Sequence, residues 1–381
     1  MEQFDVVIVG AGPAGTSCAL SLRNSGLNIL LIEKQKHPRD KICGDAIPGP
    51  AFRAMRAIDP VLEKEMKAFA QDAFVHTSAG VFPGGKEIIK KWKLFSYNVK
   101  RLDFDNFLMG LVRKNTHTTI WEHTKVKDVL PSDNKTELLL DNGNTISALF
   151  LIACDGANSI VSRKLSKHDY HDHPYIVAVR AYFDGIEGLE KGKNEFHFIK
   201  KILPAYFWIF PLGNGRANVG FGKLKNTQGM GSEKQNMKEL LNHIIKTDLV
   251  LAPRFEHATL QENIKGYSLP IASKSRKISG KRFVLCGDAA SLIDPITGSG
   301  IDTAMWSGHF AAQQVIKSNE AKNFTAEFIR QYDDEVNRKI GSKFKTKFQI
   351  LRTFNQFPFL FRLLFRLVKS DYLVRLINKH I

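Results

Sequence analysis

Three glycines and one acid near the start of the chain have the spacing of a dinucleotide site. The apolar run Val6-Val7-Ile8-Val9 opens onto Gly10-Ala11-Gly12-Pro13-Ala14-Gly15, a helical pattern follows to Arg23 and stops at Gly26, and a second run, Asn28-Ile29-Leu30-Leu31-Ile32, ends in Glu33. Gly10 permits the tight turn, Gly12 lets backbone amides approach a pyrophosphate, and Gly15 lets the helix pack close to the strand. The helix opening at Ala14 adds partial positive charge. Glu33 is placed to accept a hydrogen bond from a ribose 2′-hydroxyl and would repel a 2′-phosphate. The expected ligand is an adenosine diphosphate without a 2′-phosphate.

The glycine turn alone does not separate NAD from FAD, but two later segments do. Phe283-Val284-Leu285-Cys286 is strand-like and breaks at Gly287-Asp288-Ala289-Ala290, where Asp288 can bind a ribityl hydroxyl. Pro295-Ile296-Thr297-Gly298-Ser299-Gly300-Ile301 then leads into a helix-patterned stretch running to about Lys317. Amides at that helix start suit the pyrimidine edge of an isoalloxazine, where negative charge appears on reduction. Leu151-Ile152-Ala153-Cys154 likewise breaks at Asp155-Gly156, which places Asp155 to bridge the two cofactor-binding segments.

Taken in order, these segments resemble the FAD-dependent hydroxylases and reductases related to para-hydroxybenzoate hydroxylase. Arg101-Leu102-Asp103-Phe104-Asp105-x-x-Leu108 is similar to that group's R-x-x-F-D-x-x-L stretch, whose Arg lies near the cofactor. Within the group, Lys41-Ile42-Cys43-Gly44 resembles the K-x-C-G stretch of the geranylgeranyl reductase family. Tyr206-Phe207-Trp208-Ile209-Phe210-Pro211 with Asn218-Val219-Gly220 resembles its Y-x-W-x-F-P region. Two departures stand out: Leu212 where a Lys commonly follows the Pro, and Asp45 where many members have Gly.

The resemblance implies non-covalent FAD and reduction of isolated double bonds in a polyprenyl-type lipid, quinone or pigment precursor, with hydride from reduced flavin. It also implies that Cys43 and Gly44 lie beside the flavin. Tyr206, Trp208 and Phe210 alternate at period two and share one strand face, so they are expected to wall an apolar substrate pocket rather than merely fill a sheet core. With a single dinucleotide fingerprint, NADPH or NADH would visit the flavin transiently or be replaced by another electron donor. A monooxygenase of the same architecture is the enzymatic alternative. A halogenase is disfavoured by the absent W-x-W-x-I-P, and a membrane-surface flavoprotein that binds lipid without turnover is the alternative of another class.

The elements that must position these residues follow from the spacing. The fold expected is α/β, in part α+β. A Rossmann-like FAD-binding domain is assembled from 1–67, 98–165 and 275–340, an antiparallel-sheet substrate domain comes from 68–97 and 166–274, and a basic amphipathic helical tail covers 341–381. The chain has 381 residues, a 43% hydrophobic fraction and a formal charge of +17, so it buries a real core and favours an anionic partner. From Lys343 onward nine basic residues face one acid, Asp371. Phe357, Leu360, Phe361, Leu364, Phe365 and Val368 recur at helical spacing opposite Arg362, Arg366 and Lys369. Such a helix suits an anionic membrane surface or its own protein core. Nucleic acid is not expected, because no recognition motif accompanies the charge. The four cysteines form no C-x-x-C pair, and the segment His168–His173 has no fixed ligand spacing, so no metal is expected. The opening residues lack an export signal and no window is apolar enough to span a bilayer. The expected place is the cytoplasm, peripherally at the inner membrane face.

Overall fold

Val6–Val9 and Ile29–Ile32 are apolar at every position, as strands buried on both faces require, and they lie side by side at the centre of a parallel sheet. In the computed structural model, which describes residues 1–166, 174–225, 236–273 and 276–360, Glu2–Val9 pairs with Ile29–Ile32 on one side and Thr145–Ala153 on the other. Thr119–Trp121 continues the sheet beyond Ile29–Ile32, and Phe283–Leu285 continues it beyond Thr145–Ala153. An antiparallel ribbon, Val126–Pro131 and Thr136–Leu140, joins Thr145–Ala153. The strand order reverses between Glu2–Val9 and Thr145–Ala153. Beyond the carboxyl ends of strands flanking such a reversal, open α/β sheets bind their ligands.

The helices that pack on this sheet include Pro13–Ser21 and Ile301–Glu320. They cross so closely that a Cβ on Gly308 would lie 2.1 Å from the Ala14 carbonyl oxygen. The first helix stops two residues short of Arg23, at a Leu22 cap, and the second runs three past Lys317.

A second sheet runs Thr259–Leu260, Tyr175–Asp184, Arg216–Lys225, Phe207–Gly213, Lys193–His197, Phe74–Val81, Glu87–Asn98 and Ala46–Ile47, with Lys265–Pro270 also on Tyr175–Asp184. It is antiparallel except where Lys193–His197 pairs parallel with Phe74–Val81. A parallel pair needs a long crossover, and here the intervening chain supplies it by passing through Thr119–Trp121 and Thr145–Ala153 of the first sheet. One face buries Val179, Phe183, Phe207, Ile209, Val219 and Phe221 against Leu240, Leu241 and Ile244 of helix Met237–Thr247. The alternate residues Ala178, Trp208 and Phe210 form a separate cluster on the opposite face.

Helix Phe344–Gln356 rests on the body through buried Phe344 and half-buried Lys347, Phe348, Leu351 and Phe354, at spacings of three and four. Lys347 is ion-paired with Asp294. The helix ends at Phe357, because the next residue is Pro358, which disfavours helical backbone in its predecessor. Within the expected helical tail, 341–381, one helix thus ends at Gln356 and helical backbone resumes at Pro358. Phe361 onward and the His168–His173 segment lie outside the described residues. Among the described residues no cluster of three or more His, Cys, Asp or Glu could hold a metal, and no helix is long and apolar enough to cross a membrane.

Candidate active site

The glycine turn uses its three glycines differently. Gly10 has φ +100°, and a Cβ there would lie 2.3 Å from the Cys154 carbonyl oxygen; one on Gly15 would lie 1.9 Å from the Gly10 carbonyl oxygen. Both positions are thus filled by the protein's own backbone. Over Gly12 the nearest atom to such a Cβ is Arg39 Nη2 at 3.7 Å, which leaves room for a ligand. No side chain caps the helix that starts there, so its first-turn amides have no intrahelical acceptor. Glu33 lies alongside, its Oε2 accepting from the Ala11 amide at 2.9 Å and its Oε1 from the Gln35 amide at 3.1 Å. Each oxygen keeps a lone pair for a further donor.

Arg101 is buried and grips Asp105 through two bonds, Nε to Oδ1 at 2.7 Å and Nη2 to Oδ2 at 2.8 Å. Arg39 also donates to Asp105 Oδ2, at 3.0 Å, and lies 3.5 Å from Glu33. Burial opposes charge on Asp105, but Arg101 and Arg39 outweigh it and hold the carboxyl below its ordinary range. A chain of alternating charges therefore runs from the acid at the end of Ile29–Ile32 to helix Arg101–Asn115.

Around the next strands, Asp155 Oδ2 accepts from the Ile160 amide at 2.8 Å, while its Oδ1 is buried without a partner. Burial raises this carboxyl. Asp288, half-buried, stands 3.9 Å from Lys41 Nζ, which lies 3.5 Å over the Tyr267 ring. Helix Ile301–Glu320 begins at Gly300 with no side-chain cap, and Gly298 before it has φ +69°. Two uncapped helix starts, space above Gly12 and an orphaned carboxylate oxygen on Asp155 fit a flavin dinucleotide. Gly10, Gly12, Ala14, Gly15 and Glu33 would hold its adenosine diphosphate end, and Asp288, Gly298, Gly300 and Ile301 its ribityl and ring end.

The aromatic stripe of the second sheet meets the first through the Lys41–Asp45 segment. A Cβ on Gly44 would sit 3.3 Å from the Phe210 ring and 3.6 Å from Trp208 Nε1. Trp208 and Phe210 stack with centroids 6.1 Å apart, and Phe196 and Tyr206 extend the stripe. Tyr206 Oη donates to the Thr297 carbonyl at 2.6 Å, touching the loop that precedes Gly298. Trp208 and Phe210 are buried, and Tyr206 and Phe196 are half-open. Trp208 can lie flat because its neighbour Gly220 has no side chain: a Cβ there would come within 2.4 Å of the indole.

Behind Gly44, Asp45 is fully buried and accepts three bonds: from the Arg101 amide at 3.0 Å, Tyr182 Oη at 2.6 Å and Asn218 Nδ2 at 2.8 Å. Asn218 also donates to the Cys43 carbonyl at 2.8 Å and accepts from Trp208 Nε1 at 2.9 Å. Burial raises the Asp45 carboxyl and the Tyr182 hydroxyl. It also raises the Cys43 thiol, against the opposing influence of Arg101, so Cys43 is a neutral thiol at neutral pH.

A profile of the FAD binding domain family matches residues 3–335. The chain belongs to this FAD-binding family. FAD is its cofactor. Among relatives, a menaquinone reductase of Mycolicibacterium smegmatis is 29% identical over 322 residues, covering 81% of this chain and 75% of that protein. A digeranylgeranylglycerophospholipid reductase of Methanococcus vannielii is 29% identical over 345 residues, covering 89% and 83%. Among solved structures, a geranylgeranyl bacteriochlorophyll reductase-like protein from Thermoplasma acidophilum superposes with a TM-score of 0.79 at 23% identity, covering 92% and 87%. A flavin-dependent brominase gives 0.77 at 22% identity, covering 99% and 93%. Both structural likenesses concern the fold.

Within this FAD-binding chain, sequence reasoning missed the partners Tyr182, Arg39 and Arg180. Arg180 is buried, with its guanidinium 4.1 Å from the Tyr182 ring centroid and bonded to Asp40 and Glu262. A buried Arg in an apolar strand (Val177-Ala178-Val179-Arg180) was the available signal, since such a charge requires partners. Arg276 was missed as well. Its Nη1 donates to Ser291 Oγ at 2.7 Å, but its Nε and Nη2 are buried without partners, and burial pulls its pKa down to about 10.

Proposed function

We propose that this chain is an FAD-dependent reductase that saturates double bonds in a polyprenyl-type lipid, quinone or pigment precursor. One observation carries the reading: the aromatic stripe of the second sheet is applied to Cys43–Gly44 and, through Tyr206, to the Thr297–Gly298 loop of the first. The relatives' names, menaquinone reductase and digeranylgeranylglycerophospholipid reductase, support the same class of substrate. Bound FAD supplies the hydride that an unpolarised alkene cannot draw from a side chain. The chain's own residues bind and dry the substrate. Tyr206, Trp208 and Phe210 offer apolar faces to an isoprenoid chain, and Asp45 with Asn218 fixes the Cys43–Gly44 backbone opposite them. The electron donor in this reading is NADPH or NADH, docking transiently, or another reductant.

The substrate's chemistry also supports a peripheral position on an anionic membrane, at its cytoplasmic face. Phe357 and Phe359 are 50% and 59% exposed in the basic tail, and about 1 kcal/mol of attraction per Lys or Arg near such a surface adds up quickly. Deleting residues 356–381 should release the protein from anionic vesicles and raise the KM for lipid-presented substrate with FAD content unchanged. Vesicle binding indifferent to deletion and to salt would remove the membrane from the reading.

The central test is anaerobic. Photoreduced protein mixed with a menaquinone or a geranylgeranylated lipid should reoxidise its flavin with substrate alone, and mass spectrometry should find the product heavier by two hydrogens. Reoxidation that waits for oxygen would mean a monooxygenase, and no reoxidation by either would mean a binding protein. Asp288→Ala should lower bound FAD while leaving the fold of the apoprotein intact, read as the flavin-to-protein absorbance ratio.

A further inference from the structure

We propose that Lys347 is a positioning residue for the flavin: from helix Phe344–Gln356 it pairs with Asp294, and through Asp294 it holds the Thr297–Gly300 loop and balances the acid that shapes it. The inference rests on the placement of that loop at the ring end of FAD. The FAD-binding family match ends at residue 335, so Lys347 lies beyond the part of the chain that this family shares.

Asp294 organises the loop with nearly all of its polar groups. Its Oδ1 accepts from the Ile296 amide at 2.9 Å and the Thr297 amide at 3.1 Å. Its carbonyl accepts from the Gly298 amide, and its own amide donates to the Ser299 carbonyl, both at 2.9 Å. The remaining carboxylate oxygen, Oδ2, accepts from Lys347 Nζ. The loop is thus held from two sides, by Tyr206 of the second sheet at the Thr297 carbonyl and by Lys347 of the last described long helix at Asp294. Buried Phe344 seats that helix on the body, which fixes where the ammonium arrives.

An exposed ion pair contributes little to stability, but this one is unequal. Asp294 is 8% exposed, so without Lys347 a poorly solvated carboxylate would stand unbalanced. Asp302, in the first turn of Ile301–Glu320, accepts from Ser299 Oγ at 2.7 Å, and burial raises its carboxyl. Two acids therefore share this end of the cofactor site. Reduction places negative charge on the flavin ring, which a nearby unbalanced carboxylate opposes and a fixed cation favours. Lys347 supplies that cation from outside the sheet, on the same stretch of chain that carries the basic tail.

The test uses the full-length, FAD-loaded protein, with the midpoint potential of the flavin measured anaerobically against a reference dye. Lys347→Met should keep its FAD and lower the equilibrium constant for flavin reduction about three- to tenfold, a fall of about 15–30 mV for two electrons. Lys347→Arg should restore the wild-type potential. Asp294→Asn, which keeps an acceptor for the two amides, should move the potential upward, and the double variant should return it close to wild type. A purely structural loss would instead move both single variants the same way and overturn the proposal. Gly298→Val checks the loop itself and should shift the flavin absorption bands. If it does while Lys347→Met leaves the potential unmoved, the proposal is overturned and the placement of the loop stands; if Gly298→Val changes neither the bands nor FAD content, the placement falls and the proposal with it. Should Lys347→Met fail to fold or to hold FAD, Asp294→Asn decides: a raised potential supports the pairing, and an unchanged or lowered one overturns it.

Discussion

Asp45 holds a left-handed backbone, φ +63°, at a position where the resembled family commonly has Gly. Aspartate tolerates that conformation better than most residues, and here the carboxylate is used three times over. Asp45→Gly keeps the turn but leaves the Tyr182 hydroxyl, the Arg101 amide and one Asn218 donor without their acceptor. Each buried unsatisfied group costs about 1–3 kcal/mol, so urea unfolding should report a loss of about 3 kcal/mol or more, with Asp45→Asn milder. A loss below about 0.5 kcal/mol would mean that water satisfies these groups. The residue was legible as a departure from the K-x-C-G pattern, yet its role was not. Tyr182 and Asn218 stand 137 and 173 positions away, and nothing local in a single sequence pairs residues at that distance. By contrast, Gly10, Gly12, Gly15 and Glu33 were readable together because one strand-turn-helix-strand unit contains them all.

Among the elements, the crossing of Pro13–Ser21 with Ile301–Glu320 sets both uncapped helix starts proposed to face the cofactor, and Gly308 allows their approach. Gly308→Val places side-chain carbons against the Ala14 backbone. Overpacking of this kind costs about 1–3 kcal/mol, and because both helices carry flavin-facing turns the variant should lose FAD affinity along with Tm. Unchanged FAD affinity at lowered Tm would show that the turns move independently of the crossing. In the second sheet, Glu195 on Lys193–His197 accepts from His197 at 2.7 Å and from Arg254 at 2.5 and 2.9 Å. Burial opposes its charge, but His197 and Arg254 prevail and lower its pKa from 4.5 to about 2. A depressed carboxyl contributes stability above its unfolded pKa and loses it as pH falls through the folded value. The Tm advantage of wild type over Glu195→Gln should therefore be full above pH 5 and shrink toward pH 2; a constant difference would assign the effect to packing. The alternation of Tyr206, Trp208 and Phe210 exposed this sheet's inner face in the sequence. Its parallel pair was not visible, because strand direction depends on the path of the chain between Val81 and Lys193.

At the scale of the whole molecule, the first sheet is gathered from distant parts of the chain, and Phe283–Leu285 comes last. Thr136–Leu140 already covers Thr145–Ala148, but until Phe283–Leu285 emerges during synthesis the Leu151–Ala153 part of that outer edge has no neighbour, and an open apolar edge invites the wrong partner. The same late segment brings Asp288 and the Thr297–Gly298 loop, so in the proposed site a nascent chain has the residues for the adenosine half long before those for the ring half. A chain stopped after residue 282 should accordingly fail to retain FAD on a desalting column and should be captured by chaperones, whereas one stopped after residue 340 should retain it; equal retention would show that the glycine turn suffices. Cofactor capture is then a late event in the life of each molecule. The arrival of Phe283–Leu285 closes the free edge, and the residues that follow it complete the set proposed to hold the ring.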